Sequence, residues 1–122
     1  MEKLVLIVED SKTLQKMYEI FSKDIKDIKL IITGSGEDGL IQLAKNDIYL
    51  VVLDWNLPKM TGLEFLQKLR SDEKNKDVKV LMSSAVSEKA KIIQAVQSGV
   101  NDYMIKPINK EIFLKKLSYM LK

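Results

Sequence analysis

The sequence predicts a three-layer α/β fold: a doubly wound parallel sheet built in (βα)5 order. Two features predict it. Five short runs are apolar throughout rather than alternating, the pattern of strands buried on both faces of a parallel sheet. Between them lie segments whose apolar residues recur at a period near 3.6. Strand and helix therefore alternate, with right-handed crossovers and helices on both sheet faces.

The predicted strands run from Leu4 to Val8, Leu30 to Ile32, Leu50 to Leu53, Val78 to Met82 and Tyr103 to Ile105. Leu14, Met17, Tyr18 and Phe21 give the first helix its core stripe. Leu40, Leu43 and Ala44 mark the second, with Gly36 and Gly39 weakening its start. Leu63, Phe65, Leu66 and Leu69 mark the third. Ile92, Ala95 and Val96 mark the fourth, which Gly99 stops. Phe113, Leu117, Met120 and Leu121 mark the last. No repeat, low-complexity tract or linker interrupts this order, so residues 1–122 are expected to form a single domain with no output domain.

Composition removes several chemistries at once. Cys and His are both absent, which excludes disulfides, thiolate or imidazole metal ligands, and Ser-His-Asp hydrolysis. The 20 basic and 17 acidic residues are interspersed, and Arg70 is the only arginine, so direct nucleic-acid reading is not expected. No apolar run approaches the roughly 18 residues that span a bilayer, and no leader sequence is evident. The expectation is a cytoplasmic protein without membrane insertion.

Open α/β sheets bind ligands beyond the carboxyl ends of their strands. At those ends stand Glu9 and Asp10, then Asp54 followed by Trp55-Asn56-Leu57-Pro58, then Ser83-Ser84-Ala85, and finally Lys106-Pro107. Two carboxylates about 5 Å apart at an effective dielectric near 20 repel by roughly 3 kcal/mol, so such a cluster calls for a proton or a cation. Hard oxygen donors without His or Cys select Mg²⁺, Mn²⁺ or Ca²⁺, and Mg²⁺ suits a phosphoryl-transfer site. A carboxylate can itself be the nucleophile and form an aspartyl phosphate; Asp54, ending the central strand, is the candidate. Lys106 would neutralise phosphoryl oxygens and the Ser84 hydroxyl would donate to one. Taken singly, Asp10-Ser11 is an ordinary helix cap, Ser84 a turn residue and Lys106 one more solvated lysine. Together, four strand ends would have to supply matching chemistry by accident.

Glu9-Asp10, the run Leu53 to Gly62 containing Asp54, Ser84-Ala85 and Lys106-Pro107 resemble the receiver domain of two-component response regulators, most closely the stand-alone chemotaxis type. The likeness spans essentially the whole chain. It implies a flavodoxin-like sheet of order 2-1-3-4-5. It also implies that Asp54 accepts a phosphoryl group from a sensor histidine kinase, with Ser84 and Lys106 assisting. Mg²⁺ would be served by Glu9 through water, by Asp10, by Asp54 and by the Asn56 backbone carbonyl. Ser84 and Tyr103 would be the switch pair, and the Lys106-Pro107 bond would be cis. Partners implied are the kinase, a downstream target such as a motor switch or a phosphotransferase, and a phosphatase. The protein would be no enzyme beyond its own phosphorylation and dephosphorylation. Chemotaxis output, phosphorelay shuttling and a receiver excised from a larger regulator all fit; the Asp54-Trp55-Asn56 run favours chemotaxis. Two departures stand out: Ser84 replaces the more usual Thr, and Val86 stands where the chemotaxis regulator has an acid beside the attacking water's route.

Other functions meet specific objections. A haloacid dehalogenase-type phosphatase needs a second Asp as general acid where this chain has Asn56, whose carboxamide cannot transfer the proton. A flavodoxin-type binder needs a phosphate-cradling first loop, which Glu9-Asp10 would repel.

Overall fold

Five strands pair in parallel in the order β2-β1-β3-β4-β5 in the computed structural model, which describes residues 2–85 and 89–122. The elements are β1 (Lys3–Val8), α1 (Lys12–Ser22), β2 (Ile28–Thr33), α2 (Gly36–Lys45), β3 (Ile48–Asp54), α3 (Gly62–Ser71), β4 (Lys79–Ala85), α4 (Lys89–Ser98), β5 (Asp102–Lys106) and α5 (Lys110–Met120). All ten predicted elements are present in the predicted order. None of the described helices is long and apolar enough to cross a membrane.

Strand alternation divides the core into two layers. Val5 and Ile7, Leu50 and Val52, Leu81 and Met104 pack with Tyr18 of α1 and Phe113, Leu117 and Met120 of α5. The opposite parity, Leu6 and Val8, Val51 and Leu53, Val80 and Met82, packs on Leu43 of α2, Phe65, Leu66 and Leu69 of α3, and Ala95 of α4. Each fully buried side chain of this size contributes about 1.5–3 kcal/mol, so the central strands β1, β3 and β4 are the main source of cohesion.

Three expectations need correction. The edge strands β2 and β5 are not buried on both faces: only Thr33 of β2 and Met104 of β5 are buried, because each edge strand has a neighbour on one side only. Ala44 and Val96 are exposed, so the buried face of α2 is Gly36, Gly39 and Leu43, and that of α4 is Ala95. The strand ends run later than the apolar runs. Ser83 and Ser84 lie within β4, and Asp54 and Lys106 are the last residues of β3 and β5. Polar residues at these positions keep the ladder because the backbone, not the side chain, makes its hydrogen bonds.

Capping residues set the helix starts. Ser11, Ser35, Thr61 and Asn109 accept from the backbone N–H of Leu14, Asp38, Glu64 and Ile112, and Thr61 with Glu64 forms a reciprocal capping box. Gly99 closes α4 at φ +109°, a conformation that disfavours any side chain. Beyond it, Arg70 of α3 reaches across. Its guanidinium donates to Gly99 O (2.7 Å), Val78 O (2.5 Å), Lys76 O (2.9 Å) and Asn101 Oδ1 (3.2 Å).

Candidate phosphoacceptor site

The site forms at the carboxyl edge of the sheet, where β1 and β3 are neighbours and β5 lies two strands from β3. Glu9 follows β1, and its Oε2 accepts from the Ser11 backbone at the mouth of α1 (3.1 Å). Gln15, one turn into α1, donates to the Glu9 carbonyl (2.6 Å). Asp54 ends β3. Its Oδ1 accepts from the Asn56 N–H (3.1 Å), which bends the chain away from the strand. Gly62 allows that loop to close tightly: a Cβ there would lie 2.7 Å from Trp55 Cα.

Carboxylate oxygens of Glu9, Asp10 and Asp54 lie within 4.8 Å of one another. Glu9 and Asp54 are buried and Asp10 is exposed, so the cluster opens to solvent on one side. Lys106 reaches into it from β5, 3.1 Å from Asp54 Oδ1 and 4.0 Å from Glu9 Oε1. The Lys106-Pro107 peptide bond is cis. Burial and, next, the Asp54 charge push the Glu9 carboxyl from its ordinary 4.5 up to about 7, against the opposing pull of the Ser11 N–H and Lys106. One ammonium thus offsets the repulsion only in part.

An all-oxygen, two-buried-one-exposed donor set with Glu9 Oε1 making no hydrogen bond fits a hard divalent cation. Asn56 is exposed beside Asp54, and its side-chain Oδ1 accepts from Lys91 of α4 (2.9 Å). Lys91 was not singled out in the sequence, where it reads as one of many lysines on a helix face. Ser84 is fully buried one residue beyond Ser83, the register partner of Asp54. By strand parity the Ser84 side chain faces the α2–α4 layer. Tyr103 pairs in register with Met82 and so shares that face, but it is exposed rather than core. Its edge-strand position explains this: no further strand covers it. Lys116 of α5 lies 5.5 Å from its ring centroid. Val86 lies outside the described residues.

Residues 5–118 match the response regulator receiver domain family. The chain is 37% identical over 116 residues to the chemotaxis protein CheY-3 of Vibrio cholerae, covering 93% of this chain and 87% of that one. The structure superposes on a response regulator from Chloroflexus aurantiacus with a TM-score of 0.93 at 26% identity, covering 99% and 98% of the two chains. It shares its fold with the receiver domain of a Pseudomonas aeruginosa sensor histidine kinase, a structure with magnesium coordinated in its active-site cleft (TM-score 0.88, 19% identity, 99% and 98% covered). Family match, identity and sheet order agree: the chain belongs to the response regulator receiver domains, the CheY-like switches of two-component signalling.

Proposed function

We propose that this receiver takes a phosphoryl group from a sensor histidine kinase onto Asp54. The observation that carries the reading is the Lys106 ammonium 3.1 Å from Asp54 Oδ1 inside a cluster of three carboxylates. A buried carboxylate beside a fixed cation is a nucleophile whose product, an acyl phosphate, gains charge where the ammonium already stands. In the transfer, an Asp54 oxygen bonds to phosphorus as the P–N bond of the donor phosphohistidine breaks. The imidazole nitrogen keeps the electron pair and takes up a proton. Glu9, Asp10, Asp54 and the Asn56 carbonyl would hold Mg²⁺, which when bound supplies charge neutralisation for the phosphoryl oxygens. Ser84 would donate to a phosphoryl oxygen and Tyr103 would respond, a two-state shift needing a few kcal/mol of differential contact.

The output surface is read as the face of α4, β5 and α5. Ile93 and Val96 on α4, Tyr103 and Ile105 on β5, and Ile112 on α5 are exposed there. With chemotaxis proteins among the relatives, chemotaxis output through this single receiver unit is the favoured role, with phosphorelay transfer the alternative. The expected setting is the cytoplasm, where the kinase's phosphohistidine is available.

Incubation with Mg²⁺ and acetyl phosphate, followed by intact mass measurement, tests the chemistry. Wild type should gain a single phosphoryl group and Asp54→Ala none. Equal uptake by Asp54→Ala would remove Asp54 from the role.

A further inference from the structure

Tyr103 is a large ring left 37% exposed on the edge strand β5, and the reading above makes no use of the ion pair beside it. Lys116 Nζ of α5 stands 2.9 Å from Asp102 Oδ1, with the two side chains 28% and 33% exposed. An ion pair this open adds little stability by itself, because ordering a long lysine chain costs rotamer entropy. The same Asp102 oxygen also accepts from the Tyr103 backbone N–H (2.8 Å). The ammonium is therefore moored to the residue whose ring it approaches, 5.5 Å from the centroid. That distance lies within the reach of a cation–π attraction, roughly 6 Å.

Side-chain parity shows where this holds the ring. Met104 packs in the layer of α1 and α5, so Asp102, two residues before it, turns to that layer as well. There Lys116 meets it from α5. Tyr103 has the opposite parity: it pairs in register with Met82, which packs in the layer of α2, α3 and α4. A cation on one face and a ring on the other can meet only around an edge of the sheet. That edge is β5, the end strand of the order. The Tyr103 ring therefore leans outward over the free side of β5, away from Ser84, which is buried in β4 on the ring's own face. A ring turned inward would leave Lys116 behind, because Asp102 keeps the ammonium on the other face.

We propose that Asp102 and Lys116 are positioning residues that hold the Tyr103 ring outward over the edge of β5, so that turning inward on phosphorylation breaks a cation–π contact. This rests on the receiver reading, in which Ser84 and Tyr103 form the switch pair. Asp102 acts through Lys116: it anchors the ammonium, and the ammonium holds the ring. The clasp lowers the resting population of the inward ring by about two- to fivefold, the ratio expected of one such contact at an exposed site. Resting output falls by the same factor, while contacts made to a phosphoryl group still favour the inward state. Neither residue was singled out in the sequence, because the pairing joins a strand to a helix and is set by packing.

The test compares Lys116→Met, which keeps the apolar stem and removes the charge, with Asp102→Asn, which leaves the ammonium unmoored. Tyr103 ring ¹H and ¹³C shifts are followed in tyrosine-labelled protein, before and after addition of Mg²⁺ and acetyl phosphate. Wild type defines the line between the resting and phosphorylated positions. In both resting variants the Tyr103 signals should lie further along that line, with the inward share raised about two- to fivefold. The Lys116 Hε protons, moved upfield by the ring current in wild type, should return in Asp102→Asn. A merely structural ion pair would change stability without moving Tyr103 along this line. Tyr103 shifts unchanged in both variants, or moved off the line, would overturn the proposal whatever the change in melting temperature. Wild type that gains no phosphoryl mass would instead overturn the receiver reading, and wild type that gains it without moving Tyr103 would overturn the switch pair. Either result removes this inference with it.

Discussion

Lys106 Nζ stands 3.1 Å from Asp54 Oδ1, reaching over β4 from the edge strand β5 to the end of β3. The contact means that the proposed nucleophile is already paired with a cation before any phosphoryl group arrives. Lys106→Ala should leave Mg²⁺ affinity intact or slightly tighter, since a competing positive charge is gone. Phosphorylation by acetyl phosphate should slow by about tenfold or more, the scale of one lost charge-stabilising donor. Parallel Mg²⁺ titration and mass-resolved phosphorylation separate these effects; loss of Mg²⁺ binding in Lys106→Ala would contradict the division of labour.

Asp10 offers a cleaner probe of the cation site because it is the exposed member of the cluster. Trp55 follows Asp54 directly and is 4% exposed, so its emission should respond when the neighbouring loop closes on Mg²⁺. Saturation should fall at millimolar levels, as for open sites that leave waters on the ion. Asp10→Ala should suppress the response without altering the tryptophan's packing. Identical titrations of wild type and Asp10→Ala would show that the carboxylates are not the metal site.

Glu9 makes stability depend on pH in a defined direction. Its carboxyl titrates at about 7 in the folded protein against an ordinary 4.5, so the folded state holds its proton more tightly than the unfolded state does. The protonated form's stabilisation is complete below pH 4.5 and is lost as pH rises through 7. Glu9→Gln carries no such charge. In the absence of divalent cation it should be about 3 kcal/mol more stable than wild type at pH 8, and equal to it near pH 4. Urea denaturation at the two pH values measures this. A constant difference at both would point to packing rather than charge.

Ser84 separates phosphorylation from response. Ser84→Ala should still accept the phosphoryl group on Asp54, because the hydroxyl is not the nucleophile. The NMR shift changes on α4, β5 and α5 that follow phosphorylation should shrink markedly. Changes as large as in wild type would contradict a switch running through this hydroxyl.

Arg70 belongs to the fold rather than to the chemistry. Its guanidinium joins the end of α3 to the entry of β4 and to the α4–β5 turn through Gly99, and burial lowers its pKa. Arg70→Met should destabilise the protein by about 2 kcal/mol, as expected for charge-assisted bonds to backbone carbonyls, while leaving phosphorylation of the remaining folded protein unchanged. Thermal melts alongside the mass assay give both numbers.

The element order, the buried central strands and the reactive ends of those strands were legible in the sequence because each is a local property. Apolar continuity marks β1, β3 and β4. Period 3.6 marks α1 and α3, and an acid or lysine breaking an apolar run marks a strand end. Edge effects were not legible. Whether Tyr103 and Ile105 are covered depends on β5 having no outer neighbour, and the run itself is as apolar as an interior strand. Ala44 and Val96 fit the helical period as well as Leu43 and Ala95 do, but packing against the sheet chose between them. The lone arginine read as a point about nucleic acid; only the approach of Lys76, Val78, Gly99 and Asn101 around it revealed a clamp. The same holds for the site. Glu9, Asp10, Asp54 and Lys106 could be named from their positions at strand ends, since parallel strands in this order must bring those ends to one edge. That Lys106 pairs with Asp54 and that Ser83 and Ser84 face opposite layers are facts of register and long-range packing. They follow from which strand neighbours which and from side-chain parity, which a linear pattern does not carry.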